Sequence, residues 1–170
     1  MPLKKPTRIP KIPKTRKRKS NTALTAIPNK KPDKIDFNCK AYFKYDVKLK
    51  KQFVAFSLET IAEFTSFSYE ISVDVIKEKD VINIVVIGLK AKMNAVPKVQ
   101  PAVKEVLFED LIGQLNINVV KQDGAINSAE YYLNIYSKDI LLRKEFKPRK
   151  KNNRLFCKFE VDRGKFSFGQ

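Results

Sequence analysis

The chain has 170 residues, 43% of them hydrophobic, and a formal net charge of +17. That is room for one ordinary domain and an extension, with too much apolar content for disorder along the whole length. The absence of histidine removes the usual zinc and iron sites and the His-based catalytic systems, and no run approaches the ~18 consecutive apolar residues of a membrane-spanning helix.

The charge is concentrated. Residues 1–34 hold twelve basic residues against one acid, Asp33, and residues 143–154 hold seven against one, Glu145. The remainder balances at sixteen of each sign. A neutral body with one basic arm and one basic loop is therefore expected.

Residues 1–34 read as the arm, with prolines at 2, 6, 10, 13, 28 and 32. Proline removes backbone donors and like charges repel, so an extended segment, disordered in isolation, is expected. The positive start lacks the apolar stretch of a secretory signal, and the prolines oppose the amphipathic helix of a transit peptide, which predicts an intracellular protein. The apolar group Ala23-Leu24-Thr25-Ala26-Ile27 is too short for a core but suited to anchoring the arm on the domain or a partner.

Residues 35–170 read as a single domain. From Ile35 to Leu49, apolar residues occupy every odd position, which predicts one long strand with a buried and a wet face. Residues 52–58 alternate likewise, and the spacing of Leu58, Ile61 and Phe64 predicts a helical turn after them. Tyr69–Val75 alternates, Lys77–Asp80 reads as a hairpin turn, and Val81–Leu89, apolar at nearly every position, reads as a central strand covered on both faces. Residues 94–103, with Pro97 and Pro101, read as a loop. Further strands are expected around 106–108, 115–120, 131–135, 140–146 and 155–161, with turns at 122–124 and 163–164 before Phe166 and Phe168. About seven to nine strands with short connections predict an all-β domain, an antiparallel β-sandwich or barrel.

Cys39 and Cys157 fall on the apolar phase of their strands and are expected as buried free thiols. None of the five glycines belongs to a phosphate-cradling loop. The carboxylates Glu70 and Asp74 lie about 13 Å apart on a wet strand face, too far to share a scissile bond. No cofactor, no metal and no enzymatic activity are expected.

The strongest signal is the arm itself. Lys4, Lys5, Arg8, Lys11, Lys14, Arg16, Lys17, Arg18 and Lys19 set cations along an extended chain at a density able to follow a phosphate backbone and release its counterions. In composition the arm resembles the basic extensions of ribosomal and other nucleic-acid-associated proteins. In the loop, Arg143, Lys144, Lys147, Arg149, Lys150, Lys151 and Arg154 form a second expected phosphate contact. Tyr42, Tyr132 and Tyr136 stand beside lysines at the wet phase of their strands and would stack unpaired bases if they shared a face, although tyrosine is also an ordinary β-former. These features predict a non-enzymatic protein bound to nucleic acid, RNA more than DNA, in a large assembly. The alternative is an adaptor whose sheet edge binds a protein while its arm docks on an anionic membrane or an acidic protein surface.

Overall fold

The computed structural model describes residues 16–27, 30–93, 96 and 98–169, the side chains of 16–18 excepted. One helix, α1 (Arg16–Thr25), precedes nine strands. They are β1 (Phe37–Asp46), β2 (Lys51–Phe64), β3 (Tyr69–Glu78), β4 (Val81–Ala91), β5 (Gln100–Phe108), β6 (Gly113–Val120), β7 (Ile126–Asn134), β8 (Asp139–Phe146) and β9 (Cys157–Val161). A 3-10 turn, Arg163–Lys165, follows.

The strands form one sheet in the order β8-β7-β6-β4-β3-β5-β2-β1-β9, curled into a nearly closed barrel. The sheet is mixed, not antiparallel as expected: β1 with β9, β3 with β5 and β4 with β6 are parallel. Consecutive strands do pair as antiparallel hairpins. The β3–β5 and β4–β6 pairs arise where the connections from β2 to β3, β4 to β5 and β5 to β6 step over other strands, and the β1–β9 pair where the last strand returns beside the first. Between β3 and β5 one pair is in register, Glu70 opposite Val103. At the other seam β8 and β9 run antiparallel, and the Glu145 carboxylate accepts the Phe159 N–H at 2.5 Å where a backbone carbonyl would stand in a closed ladder.

The alternation does what period two requires. Phe37, Cys39, Ala41 and Phe43 of β1 point into one core with Phe56, Ile71, Ile84, Ile117, Tyr131 and Phe159. The strand is shorter than expected: Val47 and Leu49 are exposed in the turn 47–50. The expected helical turn after Leu58 is strand. Between Glu59 and Glu63, β2 sets three residues opposite Ala102 alone, a bulge-like irregularity, and Ile61 is left 49% exposed there, so Leu58, Ile61 and Phe64 form no buried helical stripe. Thr60 closes the bulge, its hydroxyl accepting the Ala102 N–H at 2.9 Å. Strand β5 begins inside the expected loop, with Pro101 near its first residue, where proline is tolerated. Phe166 and Phe168 are not in a strand; they pack on Phe43 at 5.3 and 5.4 Å between ring centroids and cap one end of the barrel.

Within the arm, residues 16–25 form a helix on the outside of the barrel. Helix α1 occupies the interval between Pro13 and Pro28, where no proline interrupts it. Ten residues with cations in the first turn, opposing the helix dipole, do not make a stable isolated helix. It is held by tertiary contact. Ala23 is buried against Val85 of β4 and Val120 of β6, and the buried Ser20 hydroxyl donates to Asp74 of β3. Val85 is thus the second covered face expected for β4.

Both cysteines are free and buried. Burial pushes the Cys39 thiol up to about 12 and also raises that of Cys157, because a thiolate is disfavoured away from water. Neither thiol should react with a disulfide reagent at pH 8 in the folded protein, and both should titrate once urea unfolds it.

Candidate functional site

One end of the barrel is built by the starts of β1, β7 and β9 and the ends of β6 and β8. The connection 147–156, the segment 30–36 and the turn 121–125 all meet there. Lys34 N–H donates to Leu155 O at 2.9 Å, and Asp36 N–H to Phe156 O at 2.7 Å. The segment therefore continues the β1–β9 pairing beyond the strands.

Two asparagines tie the connection down. The buried Asn127 amide donates to the carbonyls of Ile126 and Arg154, both at 2.8 Å, and its oxygen accepts the N–H groups of Phe156 and Cys157 at 2.7 and 2.8 Å. Asn153 donates to Ile126 and Pro148 and accepts from Ile126 and Arg154. Helix α1 joins the same construction. The Lys150 ammonium donates to Gly124 O at 2.8 Å and lies 3.5 Å from Leu24 O, where a cation opposes the negative end of the helix dipole. Gly124 has φ +82°, and a Cβ there would come within 2.3 Å of Ala26 O, so the turn admits this close approach of the arm through glycine.

The four acids at this end all have internal partners. Asp33 accepts the Leu155 N–H at 2.7 Å and lies 3.6 Å from Lys147. Asp36 pairs with Lys121 at 2.7 Å, Asp123 with Arg154 at 2.8 Å and Lys31 at 3.8 Å, and Glu145 holds Phe159 N–H. The backbone bond from Leu155, helped by Lys147, holds the Asp33 carboxyl below its usual range. Burial works against the Asp123 carboxylate, but the Ala125 N–H and Arg154 outweigh it, so its carboxyl is also lowered. Among the described residues, the exposed cations Lys30, Lys34, Lys144, Arg149, Lys151 and Lys158 make no ion pair. The end of the barrel carries an uncompensated positive field.

Asp123 fixes a pH dependence. Because its folded value is depressed, the stabilisation it provides is complete above the ordinary carboxylate value of 3.8 and is lost as pH falls below it, through the folded value. Urea midpoints should therefore drop between pH 4 and pH 2, and Asp123→Asn should flatten that limb.

The expected site residues divide by this geometry. Arg149 and Lys151 are exposed on the connection, and Lys147 lies at its start. Lys150 is half-buried, and burial lowers its ammonium pKa. Arg154 is not an exposed phosphate contact: it is 4% exposed, paired with Asp123 and laid over the Phe156 ring at 5.8 Å. Arg143 lies 4.8 Å over the Tyr132 ring, and Lys144 5.3 Å over Phe146. Lys4, Lys5, Arg8, Lys11 and Lys14 lie outside the described residues. Arg16, Lys17, Arg18 and Lys19 occupy the first turn of α1.

The three tyrosines do not form one stacking surface. Tyr42 is 5% exposed, its hydroxyl donating to Glu105 and its ring covered by Lys165 at 5.3 Å, so it offers no surface for stacking. Burial, with Glu105 beside it, raises the Tyr42 phenol. Tyr132 lies on the outer face of β7 under Arg143, and Tyr136, 85% exposed, lies in the β7–β8 turn at the far end.

No family model, no curated protein and no solved structure matches this chain. The site must be read from its own chemistry.

Between β8 and β9 lies a cleft of about 430 Å³ that the sequence did not announce, lined among others by Ile35, Phe146, Lys147, Leu155, Lys158 and Phe159. Its floor is apolar, and its rim carries Lys147 and Lys158 beside the exposed carboxylates of Asp33 and Glu145. Segment 34–37 separates it from a second cleft of about 380 Å³, with Ile61 and Lys121. Among the described residues, no group of three His, Cys, Asp or Glu stands where it would hold a metal ion, and no helix is long and apolar enough to cross a membrane.

Proposed function

We propose that the protein is a non-enzymatic nucleic-acid-binding protein whose basic arm and cationic barrel end engage one polyanion together. The observation that carries this reading is the fate of the charges at that end: Asp33, Asp36, Asp123 and Glu145 are bonded within the fold, and beyond the cations that hold them Lys30, Lys34, Lys144, Arg149, Lys151 and Lys158 stay exposed and make no ion pair among the described residues. The docking of α1 beside Lys150 supports a joint site, because it brings the arm and the loop to the same body. RNA in a large assembly is the favoured ligand. An arm with this charge binds anions indiscriminately in isolation, whereas a particle gives it a fixed path to order upon.

Fluorescence anisotropy with a labelled RNA across 50–300 mM salt, run beside flotation of anionic vesicles at matched salt, tests the proposal. Tight RNA binding with a steep negative slope in log salt supports it. Binding to vesicles with none to RNA would overturn it in favour of a membrane-docked adaptor.

A further inference from the structure

We propose that the β8–β9 cleft receives an unpaired base of the bound strand, so that the protein selects single-stranded over duplex nucleic acid. This rests on the nucleic-acid reading above and specifies the form of the ligand.

The cleft has the volume of a small-molecule site, whose usual range is about 300–1,000 Å³. Its two exposed apolar side chains, Phe146 at 37% and Leu155 at 41%, stand where a soluble protein gains nothing by leaving them in water. Phe146 carries the Lys144 ammonium over its ring, and Lys147 and Lys158 line the same opening. An aromatic ring with cations around it matches a nucleotide, whose base is an apolar plate and whose phosphate is an anion.

The polar groups in the cleft decide which part of the nucleotide goes in. Asp33 and Glu145 are among its lining residues, and their charge repels a phosphate or an acidic side chain from the interior. The phosphates are therefore left to the lysines at the opening. Asn127, which also lines the cleft, has both amide hydrogens donated and its oxygen accepting twice within the fold. It cannot read a base edge without breaking the attachment of β9. Recognition is by packing and charge, which every base satisfies, so the preference is for unpaired bases and not for a sequence. A duplex keeps its bases stacked inside and can meet only the cations.

The test uses the full chain, a uridine 24-mer, and a blunt 12-base-pair RNA duplex, all strands 5′-phosphorylated so that the two ligands carry the same number of phosphates, compared by anisotropy at one salt concentration. The unaltered protein should prefer the single strand by about tenfold, the scale of one base on an aromatic ring. Phe146→Ala should bring the ratio near one while leaving the salt slope unchanged. A 2-aminopurine placed in the strand should change its emission on binding, and Phe146→Ala should remove that change. Leu155→Ser gives a second variant that does not depend on how Phe146→Ala folds. Equal binding of strand and duplex, or a ratio untouched by both variants, overturns the cleft assignment alone. Binding of neither ligand overturns the functional proposal with it.

Discussion

Replacing Lys4, Lys5, Arg8, Lys11, Lys14, Arg16, Lys17, Arg18 and Lys19 by glutamine should abolish most of the salt-dependent affinity for RNA. Each cation that meets a phosphate contributes about 0.7 to the slope of log affinity against log salt on a single strand, and six to ten contacts change affinity roughly 10³- to 10⁵-fold between 50 and 200 mM. The neutralised arm should therefore lower binding by at least about a hundredfold at low salt and leave only the shallower salt slope of the barrel-end cations. The thermal midpoint should change little, because Ser20, Ala23 and the Lys150 ammonium, which hold α1 to the barrel, are all kept.

The loop has a parallel variant, restricted to Lys144, Arg149 and Lys151. Lys147, Lys150 and Arg154 are left alone because each holds part of the fold. The triple change should weaken binding less than the arm change. If arm and loop engage one molecule, either change alone also removes the gain from linking two contacts on one body, so the first loss exceeds the loss seen when the other set is already neutralised. Anisotropy on the two variants and their combination measures this. Purely additive losses would mean that arm and loop bind separate anions.

How much of this was legible in the sequence depends on the range of the interaction. Strands such as β3, β4 and β6 could be read because alternation is a local property of the chain, as was the turn at Lys79, which has φ 51°. The parallel pairings could not, since they depend on which non-consecutive strands meet. Helix α1 left no legible apolar stripe: its attachment includes Ser20, the adjacent Ala23 and Leu24, and a lysine 126 residues away from Leu24. Arg149 and Arg154 look alike in a basic run. What separates them is Asp123, 31 residues before Arg154, and the ring of Phe156. Tyr42 was placed correctly on the outer phase of β1, but outer is not exposed when Lys165 folds over it and Glu105 takes its hydroxyl. The cleft was hidden for the same reason, being made by a seam between the eighth and ninth strands.

That seam depends on Asn127, and Asn127→Ala should be among the most destabilising single changes in the protein. The side chain is fully buried and makes four hydrogen bonds, to Ile126 O, Arg154 O, Phe156 N and Cys157 N. Alanine leaves three of these groups without a partner, since Ile126 O keeps Asn153. With about 1–3 kcal/mol for each buried group left unsatisfied, and some relief by relaxation, a loss of about 3–5 kcal/mol is expected. Asn153→Ala removes as many bonds from a half-buried position, where water can replace them, and should cost about 1–2 kcal/mol. Urea unfolding at pH 7 measures both. Comparable costs would show that Asn127 is reached by water and that the seam is looser than its bonding implies. The functional consequence separates the two parts of the site: at temperatures where Asn127→Ala remains folded, β9 is freed from β7, so the preference for a single strand should fall while the salt slope set by the arm persists.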